Sequence, residues 1–142
     1  MQSIYKMKTV FLDTNIVLDV FLTRNEFNRP SAAIWKACET GKVVGMVSAM
    51  TFNNMYYIYA KSQGRPKALD AVRLVLAVCK IVPLDEKILR LAADNPGSDF
   101  EDAIQFYSAL EANASCIVTR DANDFAKGQV PILSPGEFLA TL

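Results

Sequence analysis

The 142-residue sequence contains no histidine. That absence excludes Ser-His-Asp and Cys-His nucleophilic catalysis, a histidine general base, and zinc sites built with histidine. Cysteine is scarce: Cys38, Cys79 and Cys116 are far apart, odd in number, and form no C-x-x-C pair. Each lies among apolar neighbours, so they read as reduced core thiols and point to a reducing, cytoplasmic compartment. Charge excess is lacking too. With Lys+Arg 15 and Asp+Glu 15, the net charge is 0, which gives no global attraction to nucleic acid, membranes or acidic partners and leaves only a local basic patch open. No apolar run approaches the ~20 residues of a membrane span. The greasiest region, Val72 to Leu84, is broken by Arg73, Lys80 and Pro83, and Asp13, Asn15 and Asp19 interrupt the first apolar run, against a signal peptide. No repeat, low-complexity tract or linker divides the chain.

Catalysis in such a chain must use carboxylates, Lys, Tyr, Cys or a metal. Hydrophobic residues make up 51%, enough for one domain with a real core. Short apolar runs bounded by turn residues predict strands over Thr9–Leu12, Val43–Val47, Lys80–Pro83, Ser115–Thr119 and Val130–Leu133. Helical patterns alternate with them: Asn15–Leu22, Pro30–Thr40, Thr51–Lys61, Pro66–Cys79, Asp85–Ala93, Asp99–Ala112 and Pro135–Leu142. Pro66–Cys79 is apolar nearly all round, which predicts cover on two sides. The alternation predicts an α/β fold: a single domain with a mostly parallel central sheet of four to five strands and helices on both faces.

Open parallel sheets bind ligands beyond the C-terminal ends of their strands. Asp13 stands there after Thr9–Leu12, and Asp121 stands there after Ser115–Thr119, with Asp124 close behind. Taken alone, Asp121 and Asp124 are better read as turn chemistry. Ser98 and Glu101 have capping-box spacing, and Asp99 suits the positive end of the helix that they open. Asp102, at i+3 from Asp99, shares its face. Together these acids converge on one edge of the sheet. Carboxylates packed together repel, and a hard divalent cation such as Mg²⁺ or Mn²⁺ resolves that repulsion with oxygen ligands.

These residues resemble a known family. FLDTNIVLD is similar to the first motif of the PIN-domain ribonucleases, VSAMTFNNMYYIYA to their second, and DFEDAIQFYSALEANASCIVTRDANDF to their third and fourth, in the family's order. Many members are the toxins of bacterial toxin–antitoxin pairs, called VapC. The resemblance implies cleavage of RNA with Mg²⁺ or Mn²⁺ as cofactor, an antitoxin protein as partner, and a homodimer. It also implies roles. Asp13, Asp102 and Asp121 would hold the metal, supplemented by Asp99 and Asp124, while Thr14, Asn15 and Thr119 would orient ligands or water. One departure stands out: the family's second-motif glutamate falls on Asn54, or on Asn53 if the register slips. An amide can coordinate a metal but carries no charge, and Glu39 or Asp99 would have to compensate.

Among the cations, Arg24, Arg29 and Arg120 lie nearest the acidic edge and are the phosphate candidates, ahead of Arg65, Lys67 and Arg73. Tyr57 is the best-exposed candidate for stacking on bases, whereas Tyr56 and Tyr59 read as core or interface. Trp35 reads as the anchor of the second helix. A PIN-like module that binds RNA or protein without cutting is the alternative, and Asn54 is the feature that favours it. A phosphotransfer receiver needs a lysine after the last strand, which VPILSP does not offer, and a dehalogenase-like phosphatase needs D-x-D after the first, where this chain has Asp13-Thr14-Asn15.

Overall fold

Why the chain needs a small residue in the middle of its second strand shows how the layers are built. The computed structural model describes residues 8–22, 28–122, 125 and 128–142. Within them, β1 (Thr9–Leu12), β2 (Val44–Ser48), β3 (Lys80–Val82), β4 (Cys116–Val118) and β5 (Ile132–Leu133) form one parallel sheet in the order β3-β2-β1-β4-β5. The helices are α1 (Thr14–Leu22), α2 (Asn28–Glu39), α3 (Ala49–Gln63), α4 (Arg65–Val78), α5 (Glu86–Asp94), α6 (Phe100–Glu111) and α7 (Pro135–Leu139).

Strand side chains alternate between two cores. Val10, Leu12, Val47, Cys116 and Val118 face a layer built from α1, α2, α3, α4 and α7. Phe11, Met46, Ile117 and Val82 face the opposite layer, built from α5 and α6. The register sets Phe11 between Met46 and Ile117. At Gly45 a Cβ would lie 2.7 Å from Cys38 Sγ and 3.3 Å from Cys79 Sγ. Glycine therefore lets α2 and the end of α4 press onto β2. Burial pushes the Cys38, Cys79 and Cys116 thiols up to about 11, 12 and 11, so all three stay protonated and act as small apolar residues. Trp35 is buried, edge-on to Phe21 at 5.4 Å, and does anchor α2.

The predicted architecture holds, with local corrections. β5 starts at Ile132, because Pro131 has no N–H for the ladder and uses only its carbonyl, which accepts from Ile117 N. α7 stops at Leu139, where Thr141 turns back to donate to the Phe138 carbonyl. Among the described residues, helix α4 is covered on one side only. Its Ala68, Ala71 and Val75 stripe is buried, while Leu74 and Leu76 remain half exposed. Gly64, at φ +95°, makes the one-residue turn that folds α4 back against α3.

Candidate active site

From β1 the chain proceeds outward to β2 and β3, then returns to the other side of β1 for β4 and β5. The reversal lies between β1 and β4, where such sheets open a crevice beyond their C-terminal ends. Asp13 follows β1 there, and Thr119 to Asp121 follow β4. Asp13 N donates to the Val118 carbonyl at 3.0 Å, so the β1–β4 ladder extends up to the carboxylate itself.

Asp13 is buried, and both its oxygens are held. Oδ1 accepts from Thr14 N at 2.8 Å and Gln105 Nε2 at 3.3 Å, and Oδ2 accepts from Thr119 Oγ1 at 2.7 Å. Burial raises its carboxyl above the usual value of 3.8. The Thr119 hydroxyl and the Thr14 amide oppose that rise, the Asp121 charge adds to it, and Gln105 lowers it again. Gln105 Nε2 also reaches Thr14 Oγ1 at 3.0 Å and Thr51 Oγ1 at 3.4 Å, and those two hydroxyls lie 2.9 Å apart. One buried amide thus ties α6 to the starts of α1 and α3.

The crevice is a cavity of about 300 Å³ with Asp13 and Thr14 at one end, Asn54, Tyr57 and Ile58 of α3 on one wall, and Glu101, Asp102 and Gln105 of α6 on the other. Asp121 is exposed and joins Asp13 indirectly. Its N–H donates to Thr119 Oγ1 at 3.0 Å, and its carboxylate accepts from Asn15 Nδ2 at 3.1 Å. Asn15 also reaches Thr119 Oγ1 at 3.4 Å and accepts from Arg120 N at 3.4 Å.

Several sequence expectations need correction. Asp99, not Ser98, caps α6, accepting from Glu101 N at 2.8 Å and Asp102 N at 3.2 Å. It faces a neighbouring cavity, of about 330 Å³, which Asp102 also lines. Glu39 ends α2, at the opposite edge of the sheet. Neither lines the cavity that holds Asn54. Glu101 lines the cavity instead, and the capping-box spacing concealed it. Asn54, not the exposed Asn53, lines the cavity. Arg120 turns inward: its Nε donates to Asp19 Oδ2 at 2.8 Å, and Ser31 Oγ donates to the same oxygen at 3.1 Å. That nitrogen is the partner of a fully buried acid. Arg29 is exposed on α2 outside the cavity lining; Arg65, Lys67 and Arg73 are exposed on α4. Arg24 and Asp124 lie outside the described residues. Sequence reading missed Gln105, Thr51, Asp19 and Glu101.

Among the described residues no three acidic or thiol side chains form a ready-made metal cage. The donor set nonetheless suits Mg²⁺ or Mn²⁺. Asp13 and Asp102 share one cavity, the donors are all oxygen, and the Asp13 carboxyl is raised by burial and, to a lesser degree, by the Asp121 charge, which a cation would offset. Mg²⁺ is ordinarily held by one or two carboxylates, with waters and substrate phosphate completing its shell. Among the described residues no helix is long and apolar enough to cross a membrane.

Residues 9–123 match the family described as PIN domain. The chain is 24% identical over 134 residues to ribonuclease VapC1 of Aquifex aeolicus, covering 91% of this chain and 92% of that protein. Its fold is similar to a toxin–antitoxin complex from Klebsiella pneumoniae (TM-score 0.67, 21% identity, 89% of this chain and 97% of that one). It is also similar to DNA-bound VapBC from Salmonella typhimurium (TM-score 0.68, 17% identity, 91% and 99%).

Proposed function

The chain belongs to the PIN domain family, and from that premise we propose that it is a metal-dependent endoribonuclease, the toxin of a bacterial toxin–antitoxin pair. The observation that carries the reading is the cavity in which Asp13 and Asp102 meet, with Asp121 coupled to Asp13 through Thr119 and Asn15. A ribonuclease among the similar proteins, and toxin–antitoxin complexes among the similar structures, support it.

In this reading Asp13, Asp102 and Asp121 hold Mg²⁺ or Mn²⁺. When bound, the cation supplies an activated water and stabilises charge developing on the phosphate. Thr119 and Gln105 hold the two Asp13 oxygens in fixed directions, so no reorganisation is needed when the ligand arrives. Asn15 aligns Asp121 from the other side. Asn54 brings no charge, but Glu101 adds a carboxylate to the same cavity. This favours a cutting enzyme over a binding module with a weakened site. RNA is the substrate, the compartment is the cytoplasm, and a small antitoxin protein and a second copy of the chain are the partners.

The test is cleavage of a structured RNA by purified protein in Mn²⁺ or Mg²⁺, with Asp102→Asn beside it. Cutting that stops with chelator and is lost in Asp102→Asn is the expected result. Equal cutting by both proteins would overturn the mechanism.

A further inference from the structure

The Asp13 cavity has two unlike walls. The α6 wall carries Glu101 and Asp102; the α3 wall carries Asn54, Tyr57 and Ile58, with no charge. These three fall at i, i+3 and i+4, one face of the helix. Tyr57 is 70% exposed, more than any other large hydrophobic side chain among the described residues, and Ile58 beside it is 38% exposed. An aromatic ring left in water beside a set of carboxylates contributes nothing to the core. The cavity, about 300 Å³, exceeds what a cation with a few waters at ~30 Å³ each would fill. It falls at the lower end of pockets that take a small organic group.

We propose that the α3 wall is a nucleobase subsite. A base next to the scissile phosphate leaves its stack, lies on the Tyr57 ring, and turns its hydrogen-bonding edge to the Asn54 amide. The inference rests on the ribonuclease reading above and names how that site takes its substrate. Single-stranded RNA is recognised by splaying bases onto aromatic rings, and stacking tolerates every base. Discrimination then needs a group with both donor and acceptor, which an amide has and a carboxylate lacks. Asn54, in the position where the family usually carries glutamate, thereby exchanges a charge for base reading. The wall is continuous with Asp13 and Asp102, so a base bound there keeps its own phosphate near the carboxylates. A cavity of this volume admits one base with its sugar, not a helix of a protein partner.

The test is fluorescence anisotropy of four labelled single-stranded pentaribonucleotides, one per base, with the full chain in EDTA so that no cutting intervenes. Wild type is expected to bind with a rank order among the bases. Tyr57→Ala should weaken all four by about fivefold or more, and Tyr57→Phe, which keeps the ring, should restore them. Asn54→Ala should flatten the rank order. Leu76→Ala, exposed on α4 outside the cavity, is the control and should change neither. Unchanged binding in Tyr57→Ala, or equal loss in Tyr57→Phe, overturns the subsite. So does a Tyr57→Ala protein that keeps its RNA affinity but releases a co-purifying protein, which would assign the face to a protein partner. If wild type binds none of the four, the subsite falls; the ribonuclease reading survives where RNA is still cut in Mn²⁺ and falls with it where none is.

Discussion

Thr119 and Asp13 are 106 residues apart in sequence, and the Thr119 hydroxyl donates a 2.7 Å hydrogen bond to Asp13 Oδ2. The Thr119 hydroxyl oxygen in turn accepts from Asp121 N at 3.0 Å. One hydroxyl at the end of β4 therefore sets the direction of one proposed metal ligand and the backbone of another.

Thr119→Val keeps the shape and removes the hydroxyl. It leaves a buried carboxylate oxygen and a backbone N–H without this partner. Expected is a loss of RNA cleavage of about 10- to 100-fold, the usual effect of removing a group that orients a metal ligand. Thr119→Ser should retain most activity. Initial cleavage rates in saturating Mn²⁺ measure both, and wild-type rates in Thr119→Val would contradict this role.

Gln105 Nε2 is shared among Asp13 Oδ1, Thr14 Oγ1 and Thr51 Oγ1, while its Oε1 has no hydrogen-bond partner among the described residues. Gln105→Leu should cost about 1–3 kcal/mol of stability by leaving those oxygens without the amide, and should weaken Mn²⁺ binding. Urea denaturation and a Mn²⁺ titration check the two effects separately.

Asp13 is raised above 3.8, first of all by burial. A carboxyl raised in the fold stabilises below its unfolded value and loses that contribution as pH rises through the folded value. The ionised Asp13 side chain is therefore unfavourable in the metal-free fold. Metal-free Asp13→Asn should melt higher than wild type at pH 7, and the gap should narrow toward pH 4. Mn²⁺ should raise the wild-type Tm and leave the variant's Tm in place. Thermal melts with and without Mn²⁺ at both pH values decide the point.

Asp19 is fully buried and paired with Arg120 at 2.8 Å. Arg120→Ala removes a cationic partner from a buried acid and should cost up to about 3–5 kcal/mol. Adding Asp19→Asn should recover part of that loss, which a denaturation series of the single and double variants would show. Equal stability of Arg120→Ala and wild type would contradict a structural role and return Arg120 to the list of phosphate ligands.

Asp13, Asp102 and Asp121 are legible in the sequence because each interrupts or opens an element whose apolar pattern marks its edge. The parallel sheet is legible for the same reason, since runs such as Val10–Leu12 are apolar on both faces. Gln105 is not legible, because a lone glutamine within a helix reads as a surface residue until α1 and α3 close over it. Glu101 is hidden by spacing: Ser98 and Glu101 fit a capping box, yet the cap falls one residue later, on Asp99. Asp19 and Arg120 are a long-range pair that no local pattern announces. The open side of α4 is not legible either, because apolar composition alone does not say how many neighbours cover a helix.

The most direct test of the metal site is a Mn²⁺ titration followed by electron paramagnetic resonance of the free ion, on wild type, Asp13→Asn, Asp102→Asn and Asp99→Asn. Asparagine preserves the α6 cap, so Asp99→Asn should bind as wild type does. Asp13→Asn and Asp102→Asn should each lose Mn²⁺ affinity. No binding by wild type, or the same affinity in all four proteins, would contradict a cation held between β1 and α6.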